Sequence, residues 1–197
     1  MALISNGTTI FDAGAVGSSF KGAMTFISKT TASSDANVGI TSGIDSTYKE
    51  YVFIFKNIHP ATDSVVFQTN FSIDGGSNYN VTKTTTNFEA TMSESGTTGF
   101  KYGTGDDIAQ GTGYMRLGQT GGDNDQHVSG TLHLFDPSST TFVKHFIART
   151  AEAHGANIAA DVLVAGYVNT TSAIDEVSFK FHSGNIDSGT FKLYGVV

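Results

Sequence analysis

Alternation of apolar and polar residues with a period of two runs through most of this chain. Tyr51-Val52-Phe53-Ile54-Phe55 is a run of aromatic and β-branched residues, the pattern of a buried strand. A second strand is predicted over residues 65–73, with Phe67, Thr69, Phe71 and Ile73 on one face. Asp74-Gly75-Gly76-Ser77 then supplies residues that tolerate the positive φ of a tight turn. Residues 78–92 continue as a strand rich in threonine (Thr82, Thr84, Thr85, Thr86), and β-branched threonine suits a pleated surface that is half wet. Residues 127–135 set Val128, Gly130, Leu132 and Leu134 against His127, Ser129, Thr131, His133 and Phe135, until Asp136-Pro137-Ser138-Ser139 ends the run. Residues 141–149 read as its hairpin partner, and residues 161–169, 177–181 and 190–196 as three further strands.

Helical periodicity is nearly absent. Residues 150–160 are rich in alanine but short and interrupted by Gly155, which predicts a loop or one helical turn. The pattern as a whole predicts an all-β chain, an antiparallel β-sandwich or jelly roll of about eight to ten strands over residues 23–197. Residues 1–22 differ, being small and almost uncharged with isolated apolar points. They are expected to form an N-terminal arm that packs on a neighbour through Ile4, Ile10, Phe11, Val16 and Phe20; the alternative is a first edge strand of the same sandwich. Residues 93–125 are glycine-rich and predict a single strand, Tyr114-Met115-Arg116-Leu117, between long surface loops of the kind that carry recognition.

Composition narrows the function. The 197 residues include no cysteine, so disulfides, thiolate metal sites and thiol nucleophiles are excluded. Charged residues make up only 15%, while 26 Thr and 20 Ser supply the polarity. A net charge of −7 argues against nucleic acid as a partner. No apolar run approaches the ~18–20 residues of a membrane span, and the first residues lack the basic region and apolar core of a secretory signal. Six histidines form no H-x-H or H-x-x-x-H pair, although His133 and His145 are placed to meet across a hairpin. Asp106, Asp107, Asp123 and Asp125 sit in glycine-rich loops and are the candidate ligands for a hard cation, without the spacing of an EF-hand. Neither G-x-S-x-G nor a phosphate-binding loop occurs, so neither an enzyme nor a cofactor is expected. Phe53, Phe55, Phe67, Phe71, Phe179, Phe181 and Phe191 sit in strand patterns and are expected in the core, whereas Tyr79, Phe100, Tyr102 and Tyr114 lie at turns and loop edges, where their rings are candidates for stacking on a sugar or contacting a partner.

Four segments carry a resemblance. Residues 71–79 (FSIDGGSNY) resemble a stretch common in phage virion proteins, and residues 177–196 (VSFKFHSGNIDSGTFKLYGV) resemble a C-terminal signature of structural proteins of tailed bacteriophages, particularly marine and cyanobacterial ones. Residues 48–63 and 129–138 are similar to the same group, so the likeness spans about residues 40–197. It implies a β-sandwich, commonly homotrimeric, without catalytic residues, located on the particle surface after synthesis in the host cytoplasm. A capsid decoration (cement) protein or head fibre bound to the major capsid protein is the leading expectation. A tail-fibre or tail-tip module, or a carbohydrate-binding sandwich reading a host surface glycan, is the alternative.

Overall fold

The alternating pattern folds into strands and turns, with no helix among the described residues. The computed structural model describes residues 3–12, 15–16 and 22–197, and the side chains of residues 3–10 and 22–197. In chain order the strands are β1 (Leu3–Ser5), β2 (Thr8–Asp12), β3 (Ala15–Val16), β4 (Met24–Asp35), β5 (Val38–Ile40), β6 (Glu50–Pro60), β7 (Val65–Ser72), β8 (Lys83–Ser93), β9 (Thr98–Tyr102), β10 (Met115–Thr120), β11 (Val128–Phe135), β12 (Lys144–His154), β13 (Ile158–Val168), β14 (Glu176–Phe181) and β15 (Ile186–Val196). They make three antiparallel sheets: β1-β2-β3, a four-stranded sheet β10-β7-β14-β5, and an eight-stranded sheet β4-β15-β6-β11-β12-β13-β8-β9.

The two larger sheets are joined by aromatic packing. Phe53 and Phe55 of β6 and Phe191 of β15 face Phe67 of β7 and Phe179 and Phe181 of β14, and all six are buried. Phe179 is central, with ring centroids 5.1–6.0 Å from Phe53, Phe55, Phe67 and Phe191. Farther along, Phe71 meets Phe146 of β12 at 5.3 Å. Such rings bury large apolar areas and gain further from tilted geometry. Strand β6 keeps its inward set through an irregularity: Tyr51, Phe53 and Phe55 point in, Asn57 takes a positive φ of 53°, and Ile58 then resumes the inward direction. The extra residue is absorbed as a bulge, visible as a register shift against β11.

The outer face of the four-stranded sheet is covered by loops. Asn70, Ser72 and Ser178 are buried there. Asn70 Nδ2 donates to the carbonyls of Tyr79 and Thr112 (2.5 and 3.0 Å), and Tyr79 Oη donates to Glu176 Oε2 at 2.7 Å. Covering this face keeps residues 78–82 out of the strand predicted over 78–92, which starts at Lys83 instead.

Other expectations are corrected. Residues 23–197 hold twelve strands rather than eight to ten, because β4, β5 and β9 carry weak alternation. Residues 150–160 are not a helical turn; β12 and β13 run through them and meet in a tight turn at 155–157, where Asn157 has φ 56°. Ile73 does not join Phe67 and Phe71 inside, since β7 ends at Ser72 and the turn leaves it 39% exposed. The glycine-rich 93–125 segment contains two strands, β9 and β10.

Replacing Phe179 with alanine is expected to cost about 3–5 kcal/mol, read from the urea midpoint at unchanged slope.

Candidate interaction surface

Where the eight-stranded sheet extends past the four-stranded one, the usual division of residues reverses. On β8 the inward positions are Lys83, Thr85, Asn87 and Glu89, all buried, while Phe88 and Met92 point out, 37% and 49% exposed. Ile147 of β12 and Leu163 of β13 share the outer side at 45% and 42%. A one-residue slip of β8 would invert this arrangement, so specific polar contacts must hold the register.

Those contacts are present. Lys83 Nζ donates to the carbonyls of Val81 and Gly113 at 3.0 and 2.7 Å. Arg116 of β10 reaches across to Glu89 (3.0 Å) and also to Asp106 (3.0 Å), and Lys101 of β9 approaches Glu89 at 3.4 Å. Strand β10 is the edge of its own sheet, with backbone groups that must be satisfied elsewhere. The facing sheet satisfies them: Thr150 Oγ1 donates to Leu117 O (2.6 Å), and Gln119 N–H donates to Glu152 Oε2. Thr120 Oγ1 returns a bond to Ala153 O at 2.7 Å. Burial in this seam pushes the Glu152 carboxyl up to about 8, against the lowering by Gln119 N–H and Arg116.

With polar groups committed inside, apolar groups line the outer face. Cross-strand pairing places Tyr102, Phe88, Leu163, Arg149 and Thr131 in one row, and Phe100, Ala90, Asp161, Ala151 and Ser129 in the next. Phe88 stacks on Phe100 at 6.3 Å and meets Tyr102 edge-on at 5.2 Å. Phe100 is 77% exposed. Arg149 and Asp161 form a bidentate pair, Nε to Oδ1 at 2.9 Å and Nη2 to Oδ2 at 2.6 Å. Pairing with Arg149 holds the Asp161 carboxyl below the usual range.

The residues predicted from the sequence scatter around this face. Tyr102 lies on it, with its hydroxyl donating to Asp107 Oδ2 at 2.9 Å. Tyr114 lies on the opposite side of the sandwich, its hydroxyl on Ser178 Oγ (3.2 Å) and Lys180 Nζ 4.6 Å above its ring. The two tyrosines therefore do not form one surface. Asp106 is paired with Arg116, and Asp107 also accepts from Gly105 N–H. The carbonyl of Asp123 contacts His59 Nε2 at 3.1 Å, and Asp125 lines a separate cavity with Gln126, Glu152 and His154. Among the described residues, no group of three or more His, Asp or Glu side chains is placed to hold a metal ion. His133 and His145 do not meet: His133 stands opposite Ile147 and bonds Glu50 at 2.6 Å, and His145 packs on Tyr167.

In the predicted arm, Leu3 and Ile4 are each 58% exposed and Ile10 is half-buried. Phe11 and Val16 belong to β2 and β3 with side chains outside the described residues, and Phe20 lies outside them altogether. Strands β1–β3 form their own sheet, distinct from the edge strand β4 that follows. On β4, Met24 and Phe26 are 43% and 55% exposed, and Phe26 packs edge-on against Tyr194 at 5.6 Å.

Of the aromatic candidates, Phe100 shares this face with Tyr102, whereas Tyr79 is bonded to Glu176 on the four-stranded sheet; Phe88, Ile147, Arg149, Asp161 and Leu163 escaped the sequence reading. The signal available was residues 87–92 (NFEATM), whose alternation places Phe88 and Met92 on one side and Asn87 and Glu89 on the other without saying which side is buried. No protein-family model, curated protein or solved structure matches this chain.

Glu152 makes stability depend on pH. The unfolded chain ionises it near pH 4.5 whereas the folded chain keeps the proton to about pH 8, so its contribution falls as pH rises between these limits. Glu152→Gln removes this titration, and the melting temperature of the parent relative to E152Q is expected to decline from pH 5 to pH 8 and to level off beyond.

Proposed function

We propose that this chain is a non-enzymatic structural protein of a phage particle, a jelly-roll module mounted on the outside of the shell through its N-terminal strands. The observation that carries the reading is the order of strands. With the hairpins β8–β9 and β12–β13 set aside, the eight-stranded sheet reduces to β4-β15-β6-β11 and its partner is β5-β14-β7-β10. In chain order these eight strands pass from sheet to sheet as in a double-sheet jelly roll, an architecture frequent in capsid and lectin domains. Fold alone does not assign function, so the surfaces must carry the rest.

Two surfaces support a mounted module. The β1–β3 sheet exposes Leu3 and Ile4, and Met24 and Phe26 of β4, the next strand in the chain, are exposed as well. Exposed large apolar residues of this kind are candidates for contact with a partner. At the far side of the same sheet, β9 and the apolar face around Phe88 stay remote in strand order from that edge. Attachment at β4 thus leaves the opposite end outward. The buried titratable groups support a structural reading, because Glu89, Arg116, Glu152 and Lys83 serve register and edge satisfaction. Self-association as a homotrimer, contact with the major capsid protein and a virion location form part of the same proposal. Head decoration is favoured over a tail fibre because the sandwich carries no fibrous repeat.

Removing residues 1–22 is expected to abolish binding of the purified chain to expanded heads while leaving its unfolding midpoint unchanged. Cryo-electron microscopy of the particle is expected to place the sandwich on the shell. Density confined to the tail, or undiminished binding by the truncated chain, contradicts the reading.

A further inference from the structure

The outer face at the β8–β13 end is more than an apolar patch. Two shallow grooves lie side by side across it, one of about 340 Å³ lined by Phe88, Glu89, Ala90, Phe100 and Leu163, the other of about 450 Å³ lined by Ser129, Thr131 and Ala151. They share Arg149 and Asp161. The depression has a sequence cause: in the row Phe100–Ala90–Asp161–Ala151–Ser129, alanines occupy the positions between the larger side chains.

Three kinds of chemistry meet in this groove. An exposed aromatic ring stands at one end, Phe100 backed by Phe88 at 6.3 Å. A planar charged pair occupies the middle, using the Nε and one Nη2 hydrogen of Arg149 and leaving its other N–H donors for a ligand. Hydroxyls of Ser129 and Thr131 lie at the other end. A ring with an apolar face and a rim of hydroxyls, which accept from guanidinium and donate to carboxylate, matches this sequence of groups. The pair is internally neutral, and the chain carries a net charge of −7, so an anionic ligand gains nothing here. The volumes fall within the roughly 300–1,000 Å³ usual for small-ligand sites.

We propose that this groove binds a neutral oligosaccharide, with a pyranose ring stacked on Phe100 and neighbouring hydroxyls bonded to Arg149 and Asp161. The site differs from the Tyr102–Tyr114 pairing suggested by the sequence, needs no metal ion, and does not depend on where the chain is mounted.

The test is an array of immobilised neutral hexose oligosaccharides, with sialylated and uronate glycans alongside, followed by calorimetric titration of the tightest binder. Binding of a neutral glycan is expected, weakened about tenfold or more by Phe100→Ala and by Arg149→Met and retained by Phe100→Trp. Both positions are exposed, so the melting temperatures of these variants should stay near the parent's. Binding should also persist in high salt, because no net charge is neutralised. Failure to bind any neutral glycan at millimolar concentration, binding of acidic glycans alone, or binding indifferent to both substitutions overturns the proposal. Sedimentation run in parallel separates the other occupant: if Phe100→Ala dissociates an oligomer and the parent binds no glycan, the face belongs to a second copy of the chain and the proposal fails. A particle map placing the chain elsewhere would overturn the mounting proposal without touching this one.

Discussion

Phe179 lies where the two sheets depend on each other. Its ring touches Phe53, Phe55 and Phe191 from the eight-stranded sheet and Phe67 from the four-stranded one. Charge is scarce and cysteine absent, so apolar burial between sheets and backbone pairing within them carry the cohesion. Two central glycines lie pressed between a neighbouring strand's backbone and this aromatic layer. A Cβ at Gly130 would fall 3.0 Å from the Phe55 ring and 2.3 Å from Arg149 O, and one at Gly166 would fall 2.8 Å from the Phe146 ring. The backbone carbonyls of Arg149 and Thr84, each 2.3 Å from such a Cβ, and the rings together use the space that side chains there would need.

The aromatic layer cannot extend under the whole large sheet, because an eight-stranded sheet is wider than its four-stranded partner. Beyond Phe146 the interior is closed instead by β10 and its flanking loops; Met115, Leu117, Val162 and Val164 continue the apolar core there, and toward β8 the packing turns polar. Glu152 and Thr150 satisfy the free edge of β10, and Arg116 bridges to Glu89 and Asp106. Inward positions of β8 become polar as a result, and its apolar residues turn outward. The outer apolar face and the buried polar seam are thus two consequences of one mismatch in sheet width. A buried ionic network contributes register more surely than net stability, which fits its place at the point where β8 must not slip.

Strands with uniform burial were legible in the sequence. Tyr51–Phe55, Val128–Leu134 and Val177–Phe181 alternate or run apolar because the Phe179 layer lies under them, and Phe53, Phe55, Phe67, Phe71, Phe179, Phe181 and Phe191 are all core as read. Strand β4 was not legible: its residues MTFISKTTASSD are half-exposed at a sheet edge, where alternation has little to enforce it. The hairpin of β12 and β13 was masked by alanines, whose helical preference is overridden by eleven cross-strand pairs. The outer groove was hidden for a different reason. Arg149 and Asp161 are twelve residues apart in sequence and meet only through the diagonal register of β12 on β13. Phe88 stands in a pattern that reads equally well with either side buried.

Under the proposed mounting the two ends of the eight-stranded sheet are functionally distinct, with attachment at the β4 edge and an open face at the β8–β9 end. Hydroxyl-radical footprinting of the protein on its particle against the free chain compares both ends at once. Protection of Leu3, Ile4, Met24 and Phe26 on the particle is expected, with Phe100 and Leu163 oxidised equally in both states. Protection of Phe100 and Leu163 with Met24 and Phe26 unchanged would contradict the mounting.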